Sequence, residues 1–288
     1  MVKIPKLMYN WYGNGDTMQK LDNVKVIFID IDGTLTNRKK EVTTYTSEII
    51  KKVVEKGIKV IICSGRGNQY VEDKSRIANA SSHIISSNGA QIYNYYTKEI
   101  LYKSVINKEV LKEAIEFINK KQGGYILNCT NIRYSNKNLN RKMNKNDKVI
   151  NSIDEVEDEV YQLVMEASSY NQMSEMIEYV KNNEYLQILN CSHSYLKGKK
   201  DESHYYIDVN NTGVSKGNAI KKYLELFNIK KEDSVCFGDH INDVSMFEVC
   251  GIKVAMGNAN DDLKEQADYV TLTNEEDGVA KFLEMHVL

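Results

Sequence analysis

Two aspartates two positions apart, Asp30 and Asp32, are the residues in this 288-residue chain whose type and spacing most clearly indicate chemistry. They end a run from Val24 in which only Lys25 is polar, and a short apolar run bounded by turn residues is typical of a buried strand. Ligands of open α/β sheets bind at the carboxyl ends of the strands, which is where these acids fall. Two carboxylates this close repel each other unless a cation or a shared proton compensates, so the pair indicates a metal site.

A calcium loop is one alternative for the same stretch, because Asp30, Asp32 and Glu41 match positions 1, 3 and 12 of an EF-hand. That loop requires glycine at position 6 and an acid or amide at position 5, whereas Gly33 occupies position 4 and Thr34 position 5. A strand instead of a helix also precedes the loop. These mismatches argue against calcium, and an acidic turn with a purely structural role remains the other alternative.

The elements that would position these acids alternate between buried strands and amphipathic helices. A helix is predicted over residues 43–56, where apolar residues recur on one face, and Gly57 ends it. Further buried strands are predicted at residues 58–63 and 83–86. This alternation predicts a Rossmann-like, doubly wound parallel sheet with right-handed crossovers.

The pattern changes between residues 92 and 211, where polar and apolar residues alternate along the predicted strands. Alternation is typical of half-exposed antiparallel strands, so we predict a separate α+β domain here. Its predicted elements are strands at 125–129, 160–167, 186–191 and 205–209, helices near 107–121 and 172–182, and a loop over 135–148.

Buried strands return in the last part of the chain, at residues 234–237, 253–256 and 269–272, after a helix over 216–228. We therefore predict that residues 1–91 and 212–288 form one α/β core interrupted by an inserted domain of residues 92–211. Residues 1–17 are interpreted as a possible extension of the core.

Composition limits the classes of function. The chain is 42% hydrophobic and 27% charged with a net charge of −2, so no basic field indicates nucleic acid or an anionic membrane as a partner. No apolar stretch reaches the ~18 residues that span a bilayer. Five cysteines without a CxxC spacing argue against a disulfide framework and for a reducing, cytoplasmic location.

Other polar groups lie at predicted strand ends or at a helix start. They are Ser64, Gly65, Lys216, Asp239, Asn242 and Asp243. Backbone amides at a turn, a helix N-terminus and a lysine are groups that bind phosphate. Carboxylates and an amide are hard oxygen ligands suited to Mg²⁺. A magnesium-assisted phosphoryl transfer would use both sets of groups together.

Four segments in this order, DIDGTLT, CSGR, VSKGNAI and FGDHINDVSMF, resemble the four motifs of haloacid dehalogenase-like (HAD) hydrolases. The sequence is most similar to the Cof-type phosphatases of subfamily IIB, as are its tail, GIKVAMGNANDDLKEQADYVT, and the segment SNGAQIYN. The resemblance covers roughly residues 24–95 and 207–280. Four motifs in order, with a large insertion between the second and third, are far more specific than a single DxDGT.

The resemblance implies a role for each matching position. Asp30 would be the nucleophile that forms an aspartyl-phosphate. Asp32 would protonate the leaving alcohol and then activate water, while its backbone carbonyl helps to hold Mg²⁺. Asp239 would complete the protein's metal ligands together with Asp30, and Asp243 and Thr34 would support those ligands. The groups that hold the phosphate would be the backbone of Ile31, Ser64, Gly65, Lys216 and Asn242.

The implied function is a Mg²⁺-dependent phosphatase of small phosphorylated metabolites, sugar phosphates above all, with the insertion as a C2-type cap that closes over the substrate. A phosphomutase or phosphotransferase on the same scaffold stays open, because Asp32 serves either reaction. A non-catalytic sensor of phosphorylated metabolites is a third hypothesis, against which the retained aspartates and Lys216 count. The chain is expected to be a monomer or a homodimer.

Overall fold

A computed structural model describes residues 20–138, 147–200 and 202–288, and two sheets organise them. The larger sheet has eight strands in the order β14-β13-β12-β1-β2-β3-β4-β5. Its strands are β1 Val26–Ile29, β2 Lys59–Cys63, β3 His83–Ser86, β4 Gln91–Asn94, β5 Glu99–Lys103, β12 Ser234–Gly238, β13 Ile252–Ala255 and β14 Tyr269–Val270.

The smaller sheet has six strands in the order β10-β11-β9-β6-β7-β8 and is antiparallel except for the β7–β8 pair. Its strands are β6 Gly124–Asn128, β7 Arg133–Ser135, β8 Asp147–Val149, β9 Gln162–Ala167, β10 Leu186–Cys191 and β11 Tyr205–Asn211. One face of this sheet packs against helices in a hydrophobic core of its own, separate from the core of the larger sheet.

The described helices are α1 Thr44–Glu55, α2 Asn68–Ile77, α3 Lys108–Lys120, α4 Tyr170–Lys181, α5 His193–Leu196, α6 Lys216–Leu226, α7 Val244–Val249, α8 Asp261–Gln266 and α9 Gly278–His286. Their ends follow local chemistry. Thr43 caps α1 by accepting the N–H of Thr46, and Gly57 follows that helix with a left-handed φ of 87°. None of the helices in the described ranges is long and apolar enough to cross a bilayer.

The central strand β1 positions the site, because it lies between β12 and β2 with its four residues fully buried. The three strands run parallel and in register, with Ile29 aligned to Phe237 on one side and to Ile62 on the other. Their carboxyl ends therefore meet at one edge of the sheet. The residues that follow each strand are brought together there.

The fold class predicted from the sequence is confirmed: a doubly wound, largely parallel sheet carries an inserted α+β domain. Strands β3 and β10 have the predicted bounds. The last strand is shorter than predicted, because it pairs with β13 only through Tyr269 and Val270. The predicted extension at residues 1–17 lies outside the described residues.

The hairpin of β4 and β5 departs from the sequence prediction, which put residues from 92 onward in the cap. Strand β4 pairs antiparallel with β3, and β5 pairs with β4, so both strands extend the core sheet. Alternating residues occur in any half-exposed antiparallel strand, so the pattern alone could not assign the hairpin to a domain. We therefore propose a division in which the core reaches residue 103 and the cap begins at residue 104.

The predicted loop over residues 135–148 is only partly a loop. Its first residue closes β7 and its last two belong to β8, and these strands pair from Arg133 with Asp147 to Ser135 with Val149. A bidentate contact from Arg133 to Asp147, with N–O distances of 2.8 and 2.6 Å, supports the pairing. Strands of three residues are too short for a period of two to be visible in the sequence.

We expect Ile61→Ala to lower the free energy of unfolding by about 2–5 kcal/mol, because it leaves a cavity in the fully buried strand β2. Ile77→Ala is the matched control, since its side chain is 46% exposed at the end of α2, and it should change that free energy by no more than about 0.5 kcal/mol. Urea unfolding measures both. Similar losses in the two variants would contradict the assignment of the core.

Candidate active site

Four polar segments meet at the carboxyl edge of the core sheet. Asp30 directly follows β1, Ser64 follows β2 and Asp239 follows β12. Lys216 is the first residue of α6 and reaches the same point from beneath. The structure therefore brings the four sequence motifs together, although they are separated by as many as 209 positions in the chain.

Lys216 is the centre of a buried charge cluster. Its Nζ lies 2.5 Å from Oδ1 of Asp30 and 2.6 Å from Oδ1 of Asp243, and the lysine side chain is 1% exposed. Burial alone would lower the pKa of Lys216, but the carboxylates of Asp243 and Asp30 outweigh it and raise that pKa above its ordinary value. Lys216 is therefore a permanent cation. Burial raises the pKa of Asp30, and the Lys216 ammonium opposes that rise.

Asp243 joins this cluster to the loop after β12. Its Oδ1 accepts the Lys216 ammonium, while its Oδ2 accepts the backbone N–H groups of Asp239 and His240 at 3.0 and 3.1 Å. The carboxylate is fully buried and uses both of its oxygens. It thus fixes the loop that carries Asp239.

Asp239 is held from the opposite side by the loop after β1. The hydroxyl of Thr34 donates to Oδ1 of Asp239 at 3.1 Å. Burial, together with the nearby charge of Asp243, raises the pKa of Asp239 to about 7. Gly33 has a φ of 85°, and a side chain there would overlap the Asp239 carboxylate, so the position requires glycine on two grounds.

Three carboxylates form a candidate metal site. Oxygens of Asp30, Asp239 and Asp243 all lie within 4.8 Å of one another. Carboxylate oxygens are the ligands that Mg²⁺ prefers, so the donor set fits this ion. The carboxylate of Asp32 is not in the cluster. The sequence assigned only the backbone carbonyl of Asp32 to the metal, and that assignment stays a prediction.

The phosphate loop, defined here as residues 64–66, presents free donors. The Ser64 hydroxyl oxygen accepts the N–H of Arg66 at 3.2 Å, so its own hydrogen is available to a ligand. Within the described ranges, no residue accepts a hydrogen bond from the backbone N–H of Gly65 or of Ile31. A Cβ at Gly65 would lie 2.6 Å from Oδ1 of the buried Asn88, so only glycine fits.

Asp32 faces Arg66. Nε and Nη2 of the guanidinium lie 2.8 and 3.1 Å from the two carboxylate oxygens, which is a bidentate ion pair. Arg66 also lies over the ring of Tyr70, with its Cζ 5.6 Å from the ring centroid. Arg66 is the last residue of the motif CSGR, but the sequence did not indicate this contact with Asp32.

A cavity of about 620 Å³ lies between the core and the cap, and six of the ten predicted site residues line its core side. Asp30, Asp32, Ser64, Gly65, Asp239 and Asn242 line it, together with His240. Lys216, Asp243, Thr34 and the side chain of Ile31 lie behind this wall and do not line the cavity. The cap contributes polar groups from several strands: Asn128, Arg133, Gln162, Asn190, His204, Tyr206 and Asp208.

These cap residues were not predicted as site residues. Each is one polar position in an alternating strand or its flank, and nothing in the sequence separates the face that covers the core from any other exposed face. Only the packing of the opposite face against helices identifies it: Leu163 and Met165 pack in the cap core, so Gln162 and Val164 face the cavity.

A carboxylate beside a buried lysine, a second acid two residues on, free amides and an acid cluster that could hold a metal ion are together suited to phosphoryl transfer. Comparison with known proteins agrees. Residues 27–283 match the family of haloacid dehalogenase-like hydrolases, and the chain belongs to that family.

Its relatives are phosphatases. The chain is 27% identical over 266 residues to 5-amino-6-(5-phospho-D-ribitylamino)uracil phosphatase YcsE of Bacillus subtilis (strain 168), covering 92% of this chain and 97% of that protein. It is 27% identical over 280 residues to pyridoxal phosphate phosphatase YbhA of Escherichia coli (strain K12), covering 92% and 99%. A solved structure of a sugar phosphatase of HAD subclass IIB matches with a TM-score of 0.71 at 26% identity, covering 91% of this chain and 98% of that one.

These findings confirm the resemblance to the Cof-type phosphatases of subfamily IIB. They also confirm that the chain is an enzyme of the phosphoric monoester hydrolase class.

We expect Lys216→Met, without added metal, to lower the free energy of unfolding by about 3–5 kcal/mol, because two buried carboxylates lose their cation. The loss should be smaller at pH 5 than at pH 8. The Lys216 ammonium opposes the rise that burial causes in the pKa of Asp30, so this pKa should be higher in the folded variant than in the folded wild type. As the pH falls, the folded variant therefore gains more stability from binding a proton than the folded wild type does.

Lys25→Met is the control for that measurement, because it removes an ion pair with Asp233 in which the lysine side chain is 60% exposed. Its effect should stay below about 1 kcal/mol. Urea unfolding of both variants in EDTA at the two pH values gives the comparison. A loss for Lys216→Met that does not depend on pH would contradict the electrostatic explanation.

Proposed function

We propose that the protein is a cytoplasmic, Mg²⁺-dependent phosphatase that hydrolyses small phosphorylated metabolites, with sugar phosphates as the first class to test. The observation that carries this proposal is the geometry around Asp30. Its Oδ1 is bound to Lys216, while no described residue donates a hydrogen bond to its Oδ2, and the residue lines the cavity. A carboxylate fixed through one oxygen presents the other as a nucleophile.

In the first step, an oxygen of Asp30 attacks the phosphorus of the substrate. The new bond between the Asp30 oxygen and phosphorus forms as the bond to the leaving alcohol breaks, and Asp32 gives its proton to that alcohol. The N–H groups of Ile31 and Gly65 and the Ser64 hydroxyl are free to bind the phosphoryl oxygens, which is the arrangement that stabilises charge in the transition state.

In the second step, Asp32 accepts a proton from water, and the resulting hydroxide attacks phosphorus and releases Asp30 and inorganic phosphate. The pair with Arg66 suits this step, because a guanidinium stabilises the ionised carboxylate that acts as the base. In the first step Asp32 carries a proton, and a neutral carboxylic acid accepts the two N–H groups of Arg66 less strongly than a carboxylate does. We therefore propose that at least one of the two hydrogen bonds from Arg66 to Asp32 breaks when the substrate binds.

The metal has a defined place in this proposal. We propose the carboxylates of Asp30 and Asp239 and the backbone carbonyl of Asp32 as the protein ligands of Mg²⁺, which would neutralise the charge of the phosphoryl group when bound. Thr34 and Asp243 hold Asp239 and its loop in place. Asn242, which lines the cavity, is proposed as a further phosphate ligand.

The proposed substrate class follows from the size and lining of the cavity. A volume of about 620 Å³ is in the range of sites for small metabolites. The cap side is rich in amides, a carboxylate and a phenol, for example Asn190, Asp208 and Tyr206, and these groups suit the hydroxyls of a sugar or polyol. The names of the relatives give different phosphate esters as substrates. We therefore propose that the cap determines which phosphate ester binds.

We expect the protein to release inorganic phosphate from one or more members of a panel of sugar and nucleotide monophosphates with Mg²⁺, and not with EDTA. Asp30→Asn should fold and release no phosphate above background, because an amide is a far weaker nucleophile than a carboxylate. A folded Asp30→Asn variant that retained full activity would refute the mechanism.

We expect Asp32→Ala to slow the turnover of alkyl phosphates much more than that of p-nitrophenyl phosphate, whose leaving group needs no proton at neutral pH. Comparing kcat/KM for the two substrates in the wild type and the variant measures this difference, which should be at least about tenfold. An equal loss for both leaving groups would argue against Asp32 as the general acid.

A further inference from the structure

The three backbone carbonyls of the phosphate loop each accept a hydrogen bond from outside the loop, but not from the same domain. The carbonyl of Ser64 accepts the N–H of Asn88 at 3.0 Å, and that of Arg66 accepts the N–H of Ser87 at 2.8 Å. Both donors belong to the core. The carbonyl of Gly65 instead accepts Nε2 of Gln162, 3.1 Å away on the cap strand β9.

The peptide that Gln162 holds controls the Ser64 hydroxyl. The Gly65 carbonyl and the Arg66 N–H belong to the same peptide group, which is planar. That N–H donates to Oγ of Ser64 at 3.2 Å, so the oxygen is occupied as an acceptor and its hydrogen is directed elsewhere. Gly65 has no Cβ to restrain this peptide, so its orientation depends on the hydrogen bonds at its two ends.

The cap fixes Gln162 in the orientation needed for this contact. Nδ2 of Asn128 on β6 donates to Oε1 of Gln162 at 2.6 Å, which leaves Nε2 directed at Gly65. Both side chains are buried, with exposures of 1% for Gln162 and 5% for Asn128. The three groups form a chain of hydrogen bonds that runs from the cap sheet into the phosphate loop.

We propose that Gln162 is a positioning residue that makes the phosphate loop fully competent only when the cap is closed. With the cap in place, Gln162 holds the Gly65–Arg66 peptide, and that peptide directs the Ser64 hydroxyl to the phosphoryl group. When the cap opens, the Gly65 carbonyl loses this partner. The inference rests on the proposed phosphatase function.

The test uses the full chain and the pair Gln162→Met and Gln172→Met. Gln172 is a matched control, because its Nε2 also donates to a backbone carbonyl, that of Lys121 at 2.7 Å, but wholly within the cap. Methionine keeps the length of glutamine and removes its hydrogen bonds. Gln162→Glu is a second variant, since it still accepts from Asn128 but cannot donate to Gly65.

We expect Gln162→Met to lower kcat/KM about threefold to tenfold, the effect of one lost hydrogen bond, and by the same factor for p-nitrophenyl phosphate and the best sugar phosphate. Gln162→Glu should lower kcat/KM by at least as much, because its carboxylate would face the Gly65 carbonyl oxygen without a hydrogen to donate. The inhibition constant of inorganic phosphate should rise by a similar factor. Gln172→Met should stay within about twofold of the wild type. In a Ser64→Ala background, Gln162→Met should cause no further loss, because both changes act through one hydroxyl.

Three outcomes would overturn the inference. A loss confined to the sugar phosphate would make Gln162 a contact to the leaving group, and equal losses at Gln162 and Gln172 would reflect cap stability alone. Additive losses with Ser64→Ala would exclude the route through that hydroxyl. A wild type that releases no phosphate from any ester would instead refute the proposed function. In that case the affinity of the same variants for orthovanadate would be measured by calorimetry. The same comparisons among the Gln162, Gln172 and Ser64 variants would then test the inference.

Discussion

The Lys216 ammonium between Asp30 and Asp243 is the interaction on which the site depends. A buried cation and two buried carboxylates are each costly alone, and together they satisfy one another at 2.5 and 2.6 Å. The cluster also fixes three separate segments: the end of β1, the start of α6 and the loop after β12. The contacts that compensate the buried charges therefore also orient Asp30, the proposed nucleophile.

Most of the polar residues that meet at the carboxyl edge of the core sheet could be predicted from the sequence, because Asp30, Ser64, Lys216 and Asp239 lie in motifs at ends of elements whose periodicity is clear. The hairpin of β4 and β5 could not be assigned, since its pattern suits either sheet. The Gln162 contact to Gly65 spans 97 positions and joins two domains. Local patterns carry no information about which polar residue of one domain will face a given carbonyl of another.

The contacts of Arg66 restrict which residues could replace it. It pairs with Asp32 through two nitrogens and packs over Tyr70, so lysine could reproduce its charge but neither its fork of donors nor its flat face. Its backbone belongs to the phosphate loop. Arg66 therefore belongs both to the proposed phosphate-binding loop and to the ion pair that orients the proposed acid.

The two chain crossings between core and cap are tied to each other, because Nδ2 of Asn211 donates to the Ser104 hydroxyl and to the Val105 carbonyl at 3.2 and 2.6 Å. A cap attached by two independent chain crossings could twist or slide relative to the core as it moves. Because these hydrogen bonds join the two crossings, we expect the crossings to move together when the cap moves. The cap would then follow the same path each time it closes. This would bring Gln162 of the cap to the same position beside the Gly65 carbonyl of the core in every cycle.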